Sequence, residues 1–102
     1  MIIVEGWVKL APGEAEKFRP AARAMAQETR KEKGCLSYAF AQDLNDPDIV
    51  RIAERWEDEA ALGAHFASPH MATFNGAMRS AKIVQASVKA YRADLLRTLL
   101  GE

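Results

Sequence analysis

The spacing of apolar residues constrains the fold of this chain most strongly. It changes along the sequence between a period of two and steps of three and four. Apolar residues alternate with other residues in four segments, 2–10, 35–42, 49–56 and 83–92. Side chains on a β-strand point alternately to the two faces of a sheet, so this period of two predicts four strands. Leu36, Tyr38 and Phe40 are expected to share one face of the second strand.

Between these strands the apolar residues recur at steps of three and four, which predicts amphipathic helices. The first helix is expected over 14–33, with Gly34 as its stop. Its apolar stripe consists of Ala15, Phe18, Ala22, Met25 and Thr29.

The second helical region is expected to break once. Asp58 is a suitable N-cap for a short helix whose apolar side carries Leu62 and Phe66. Ser68 is a second N-cap, followed by proline at the first helical position. The stripe of the next helix comprises Met71, Phe74 and Met78.

The order strand, helix, strand, strand, helix, strand predicts a ferredoxin-like α+β sandwich with the helices on one face of the sheet. We expect the 102 residues to form one such domain, over 1–102.

The second face of the sheet needs a cover, because the first strand is apolar on both sides. Ile2 and Val4 point one way, and Ile3 and Trp7 point the other. A second copy of the chain can cover this face, so we expect a homodimer. The leucine-rich segment 93–102 is expected to be a C-terminal tail that docks on the partner, although it could also fold back on its own subunit.

Composition excludes several partners. The 14 basic and 14 acidic residues give a net charge of zero, which argues against nucleic acid. No apolar run approaches the roughly 20 residues that cross a membrane. A single cysteine, Cys35, allows no internal disulfide, and the N-terminal residues lack the features of a signal peptide, so we expect a cytoplasmic protein.

Common motifs for nucleotide binding and for a nucleophilic serine are also missing. The sequence contains no GxGxxG, GxxxxGK[ST] or GxSxG motif. His65 and His70 are five residues apart, which is not the spacing that places two imidazoles on one helical face, so we expect no metal.

A small set of polar residues remains as the candidate site. His65 shares the sheet-facing side of its helix with Leu62 and could exchange a proton, or could be a hydrogen-bonded core histidine. Glu54 lies on an apolar strand face and must find a partner or shift its pKa. Tyr38 and Trp56 suit the walls of a pocket for a flat ligand, and they suit a core equally well.

The stretch from Gly34 to Phe74 resembles the central signature of the antibiotic biosynthesis monooxygenase domain family. The matching positions are Gly34, Cys35, Tyr38, Asp43, Asp46, Pro47, Glu54, Trp56, Ala61, Leu62, His65, Ser68, Pro69 and His70.

This resemblance implies a dimeric α+β barrel and oxygenation of a quinol, anthrone or related phenolic compound. Molecular oxygen is then the co-substrate, and no metal, flavin or haem is needed. His65, Tyr38 and Trp56 would be catalytic. The substrate would contact Glu54, His70, Phe66, Met71 and Phe74.

Haem degradation is disfavoured, because His65 stands where haem-degrading relatives have a tryptophan and Asn75 stands near where they have a histidine. Two other functions stay open. One is an isomerase or other proton-transfer enzyme acting on a small carbonyl compound, with Arg79 and Lys82 as the nearby cations. The other is a dimeric binding module without catalysis.

Overall fold

The computed structural model describes all 102 residues, and its strands have the bounds that the alternation predicts. The predicted ferredoxin-like α+β fold is confirmed, with the second helical region split in two. The elements are β1 (Ile2–Leu10), α1 (Glu14–Thr29), β2 (Cys35–Gln42), β3 (Ile49–Trp56), α2 (Glu59–Phe66), α3 (Pro69–Ser80) and β4 (Ile83–Arg92).

The four strands form one antiparallel sheet in the order β2-β3-β1-β4. Val4 of β1 pairs with Glu54 of β3 on one side and with Ala90 of β4 on the other. Directly paired residues share a face, so the register places Glu54 on the buried side of the sheet with Val4.

Helix α1 is shorter than predicted. It buries the predicted stripe, but it ends at Thr29 instead of continuing to Lys33. The amides of Lys31 and Glu32 bond back to Glu28 and Thr29 in a turn. Gly34 has a φ of 85° and lies beyond this turn, directly before β2. A side chain there would come within 2.5 Å of Ala61 Cβ, so Gly34 allows the loop to approach α2 closely.

Both predicted N-caps are present at α2 and α3. Asp58 Oδ1 accepts the amide hydrogen of Ala61 at 2.8 Å, and Ser68 Oγ accepts that of Met71 at 3.2 Å. The prediction that Phe66 lies on the apolar side of α2 is wrong, because its side chain is 61% exposed. Helix α2 has only eight residues and ends at Phe66, and the side chain that it buries beside Leu62 is His65.

Leu36 also departs from its predicted face. The pairing of β2 with β3 shifts register between Cys35, which pairs with Trp56, and Ser37, which pairs with Arg55. The extra residue in this bulge is Leu36, and its side chain is 53% exposed. Tyr38 and Phe40 keep the predicted face and pack in or against the core.

The outer face of the sheet carries no helix. Ile3 and Trp7 lie on this face, and Tyr91 pairs with Ile3 there. In the tail 93–102 the side chains of Leu95, Leu96, Leu99 and Leu100 are 74% to 94% exposed. None of the helices is long and apolar enough to cross a membrane.

Candidate functional site

The fold brings the predicted catalytic residues together where β2, β3 and α2 meet. Tyr38, Trp56 and His65 are all buried, with at most 4% of each side chain exposed. The His65 ring lies 4.8 Å from the Trp56 ring and 5.5 Å from the Tyr38 ring, measured between centroids. His65 is therefore surrounded by aromatic groups inside the protein.

Glu32 is the residue that the sequence analysis missed. Its Oε2 atom lies 2.6 Å from Nδ1 of His65 and 2.7 Å from Nε2 of His70. Glu32 lies in the turn after α1, between the basic residues Lys31 and Lys33, in a segment that the predicted helix 14–33 includes. The sequence does contain a signal for this residue, because Glu32 is an acid among basic residues, shortly before the strand that carries Tyr38.

The bridge by Glu32 determines which histidine nitrogen is available for chemistry. An ionised carboxylate only accepts hydrogen bonds, so Nδ1 of His65 and Nε2 of His70 both donate to it. When His65 is neutral, its Nε2 atom then carries the free lone pair. A carboxylate behind an imidazole fixes the ring orientation and stabilises the charged ring, so His65 is arranged to accept a proton at Nε2.

Glu32, His65 and His70 are also residue types that ligate metal ions. The ligand atoms of Glu32, His65 and His70 all lie within 4.8 Å of one another, close enough to surround one cation. However, ligand atoms around a four-coordinate metal are roughly 3.3 Å apart. The separations of 2.6 Å and 2.7 Å from Glu32 are those of charge-assisted hydrogen bonds.

Glu54 is buried on the sheet side of the site and has one direct partner. Nε1 of Trp56 donates a hydrogen bond to Glu54 Oε1 at 2.9 Å. Burial raises the pKa of the Glu54 carboxyl above its ordinary value, and the Trp56 bond and the nearby His65 oppose this rise. Its requirement for a partner, predicted from the strand pattern, is thus met by Trp56.

Tyr38 is held in its neutral form. Burial raises the pKa of its hydroxyl, and the negative charge of Glu54 raises it further. The Thr29 hydroxyl opposes this rise, although Thr29 Oγ1 is fully buried without a hydrogen bond of ordinary geometry. A phenol in this state can donate a hydrogen bond near neutral pH but cannot act as a base, whereas the imidazole of His65 can accept a proton.

The residues predicted to contact substrate occupy different environments. His70 and Met71 are partly buried, whereas Phe74 is buried. The Phe74 ring packs 5.4 Å from Phe18 and 5.5 Å from Phe40, so it belongs to the core. Phe66 is exposed, with its ring 5.8 Å from that of His65.

Two cavities lie near the site. One, of about 470 Å³, runs between α1 and β2. The other, of about 390 Å³, is lined by Arg30 and by residues 35–39, including Tyr38. His65 and Trp56 line neither cavity. The neighbouring His70 is partly exposed, with 21% of its side chain accessible to solvent.

Comparisons with known proteins agree with this architecture. The family model described as "Antibiotic biosynthesis monooxygenase" matches residues 1–77. The chain is 28% identical to "Putative monooxygenase YcnE" of Bacillus subtilis over the full length of both proteins. It is 30% identical to an uncharacterized protein of Synechocystis over 96% of this chain and 67% of that protein.

A solved structure has the same fold. The crystal structure of a "putative antibiotic biosynthesis monooxygenase" from Deinococcus radiodurans aligns with a TM-score of 0.89 and 29% identity, covering 99% of this chain and 100% of that one. The family match covers the elements that hold His65, His70 and Glu32. This chain belongs to the antibiotic biosynthesis monooxygenase family.

Proposed function

We propose that this protein is a monooxygenase that oxidises a quinol, anthrone or related phenolic compound with molecular oxygen and needs no resident metal, flavin or haem. The observation that carries the proposal is the buried His65, which Glu32 holds at Nδ1 and which lies between aromatic rings. The family match and the relative named as a monooxygenase support the reaction class.

The chemistry requires little from the protein beyond a base and an ordered site. An electron-rich phenolic compound that loses a proton becomes an anion that can pass electrons to O₂ directly. For an anthrone, the reacting CH₂ group becomes a carbonyl. One oxygen atom enters the product, the other leaves as water, and all the electrons come from the substrate. The protein holds the anion, accepts the proton and excludes water.

Each residue of the site has a matching role in this proposal. His65 accepts the substrate proton at Nε2, and Glu32 stabilises the resulting imidazolium. Tyr38 donates a hydrogen bond to a substrate oxygen, because burial keeps its hydroxyl protonated. Trp56 provides a flat wall. The further substrate contacts in this proposal are Glu54 and Phe74 on the buried side, and Phe66, His70 and Met71 nearer the surface.

The active form in this proposal is a homodimer. The uncovered outer face presents Ile3, Trp7 and Tyr91, and removing such apolar surface from water favours association. The tail 93–102 exposes four leucines and would dock on the partner.

Oxygen uptake with a panel of hydroquinones and anthrones tests the reaction. We expect one O₂ consumed per substrate at a rate that a chelator leaves unchanged, in a preparation with no visible absorption and no stoichiometric metal by elemental analysis. Activity that disappears with chelator and returns with added metal would contradict the proposal and would assign Glu32, His65 and His70 to a cation.

Two other results would indicate a different function. Exchange of substrate hydrogen in D₂O with a small carbonyl compound, without oxygen uptake, would indicate the isomerase. Tight binding of the phenolic compounds with no turnover of any of them would indicate a binding module.

A further inference from the structure

The groove of about 470 Å³ between α1 and β2 is chemically unlike the His65 site. The apolar part of its lining includes Phe18, Ala22, Ala26, Phe40 and Val50 and forms its floor. All of these side chains are buried except Phe40, which is partly buried. The volume lies within the range of small-molecule pockets, about 300 to 1,000 Å³.

The rim of the groove is positively charged. Three arginines line it, at steps of four and seven along the chain. Arg19 and Arg23 belong to α1, and Arg30 directly follows this helix. Residues at these spacings lie on the same side of a helix. The only acid that lines the groove is Glu16, which is 3.6 Å from Arg19. No acidic side chain lies within salt-bridge distance of Arg23 or Arg30, so the rim has a net positive charge.

We infer that this groove is a second ligand site, which binds a flat aromatic carboxylate. The aromatic body would lie on Phe18 and Phe40, where the two small residues Ala22 and Ala26 allow it to approach the helix. The carboxylate would meet Arg23 at the rim, since guanidinium and carboxylate groups match in geometry as well as charge. A neutral ligand of the same shape would use only the floor.

The groove is separate from the proposed oxidation site. The Phe40 ring lies 5.4 Å from the Tyr38 ring, and Tyr38 in turn contacts His65, so two aromatic side chains stand between the groove and the imidazole. The groove also lies in the helix layer, on the side of the sheet opposite Trp7. A dimer formed through the outer face would leave it open.

Binding of 2-naphthoate and of its neutral analogue 2-naphthamide, followed by NMR titration of the full chain, tests this inference. We expect saturable shifts at Ala22, Phe40 and Val50 with naphthoate, and binding at least tenfold weaker with naphthamide. The double variant Arg19→Gln, Arg23→Gln should weaken naphthoate binding about tenfold and leave naphthamide unaffected. Arg79→Gln is the matched control, because Arg79 is an exposed arginine of α3 that does not line the groove.

Three results would overturn the inference. They are equal binding of the acid and the amide, shifts centred on Trp56 and His65 instead of the groove, and an unchanged affinity in the double variant. The readout is binding and not oxygen uptake. Ligand binding in the groove and oxidation at His65 can therefore be refuted independently of each other.

Discussion

His65 Nδ1 and Glu32 Oε2 are 2.6 Å apart although 33 residues separate them in sequence. The contact joins the turn after α1 to helix α2, and His70 at the start of α3 reaches the same oxygen. One carboxylate thus orients two imidazoles from two helices. A buried imidazole left without this partner would lose the group that fixes its ring.

Replacing His65 by alanine should lower turnover by about 10² to 10⁴ while the fold is kept, which is the usual contribution of a positioned acid or base. Glu32→Gln should lower turnover less, because the amide still occupies the space but no longer stabilises a charged ring. Oxygen uptake and melting temperature, measured on the same samples, check both changes.

The matched control for Glu32 is Glu28→Gln, since Glu28 is an exposed acid of α1 that pairs only with Lys31. This variant should keep the full rate. If His65→Ala instead loses about 1 to 3 kcal/mol of stability at an unchanged rate per folded molecule, His65 is a core residue and the base lies elsewhere.

Association should depend on the outer face and the tail. Sedimentation at micromolar concentration is expected to show a species of twice the 11.3 kDa chain mass. Trp7→Lys should shift the protein towards monomer, because it places a charge on the apolar outer face. Deleting 93–102 should weaken the dimer without unfolding the domain. A wild-type protein that sediments only as a monomer would refute the dimer.

Glu54 should make stability depend on pH. Its pKa is raised in the folded state by burial, so the folded chain binds more protons than the unfolded chain above the ordinary glutamate value of 4.5. The free energy of unfolding should therefore fall as pH rises from 4.5 through the raised pKa, and should lose this dependence above it.

Denaturant unfolding at several pH values checks this contribution. Glu54→Gln should flatten the curve in that window, since its amide oxygen can still accept the Trp56 hydrogen bond without titrating. Glu57→Gln, an exposed neighbour at the end of β3, should leave the slope as it is. An identical slope in wild type and Glu54→Gln would show that other groups cause the pH dependence.

Gly6 should tolerate no side chain. A Cβ atom at this position would overlap the Ser87 carbonyl oxygen and lie 2.6 Å from Val88 Cα, both backbone atoms of β4. Gly6→Ala should therefore cost about 1 to 3 kcal/mol or more of stability. Gly63→Ala, in α2 where a Cβ meets nothing within 4 Å, should instead stabilise the protein by about 0.5 to 1 kcal/mol. Thermal unfolding of the two variants makes the comparison.

The sequence predicts what depends on local periodicity and misses what depends on contacts between distant segments. The bounds of β1 to β4 follow from alternation, and the caps at Asp58 and Ser68 follow from residue type. The contact of Glu32 with His65 and His70 cannot be predicted in this way, because it forms only when the turn after α1 packs against α2 and α3. The exposure of Leu36 and Phe66 reflects a bulge and a helix end, which alternation and helical spacing do not encode.

Arg30 also bears on aggregation of the protein at high concentration. Strand β2 lies at an edge of the sheet, and Nε of Arg30 donates to the Tyr38 carbonyl oxygen at 2.8 Å. A strand from another molecule that tried to extend the sheet at this edge would need that acceptor and would meet a cation instead. Natural proteins block edge-to-edge aggregation with charged side chains, so we expect the arginine that borders the groove to disfavour extended β-aggregates along β2 as well.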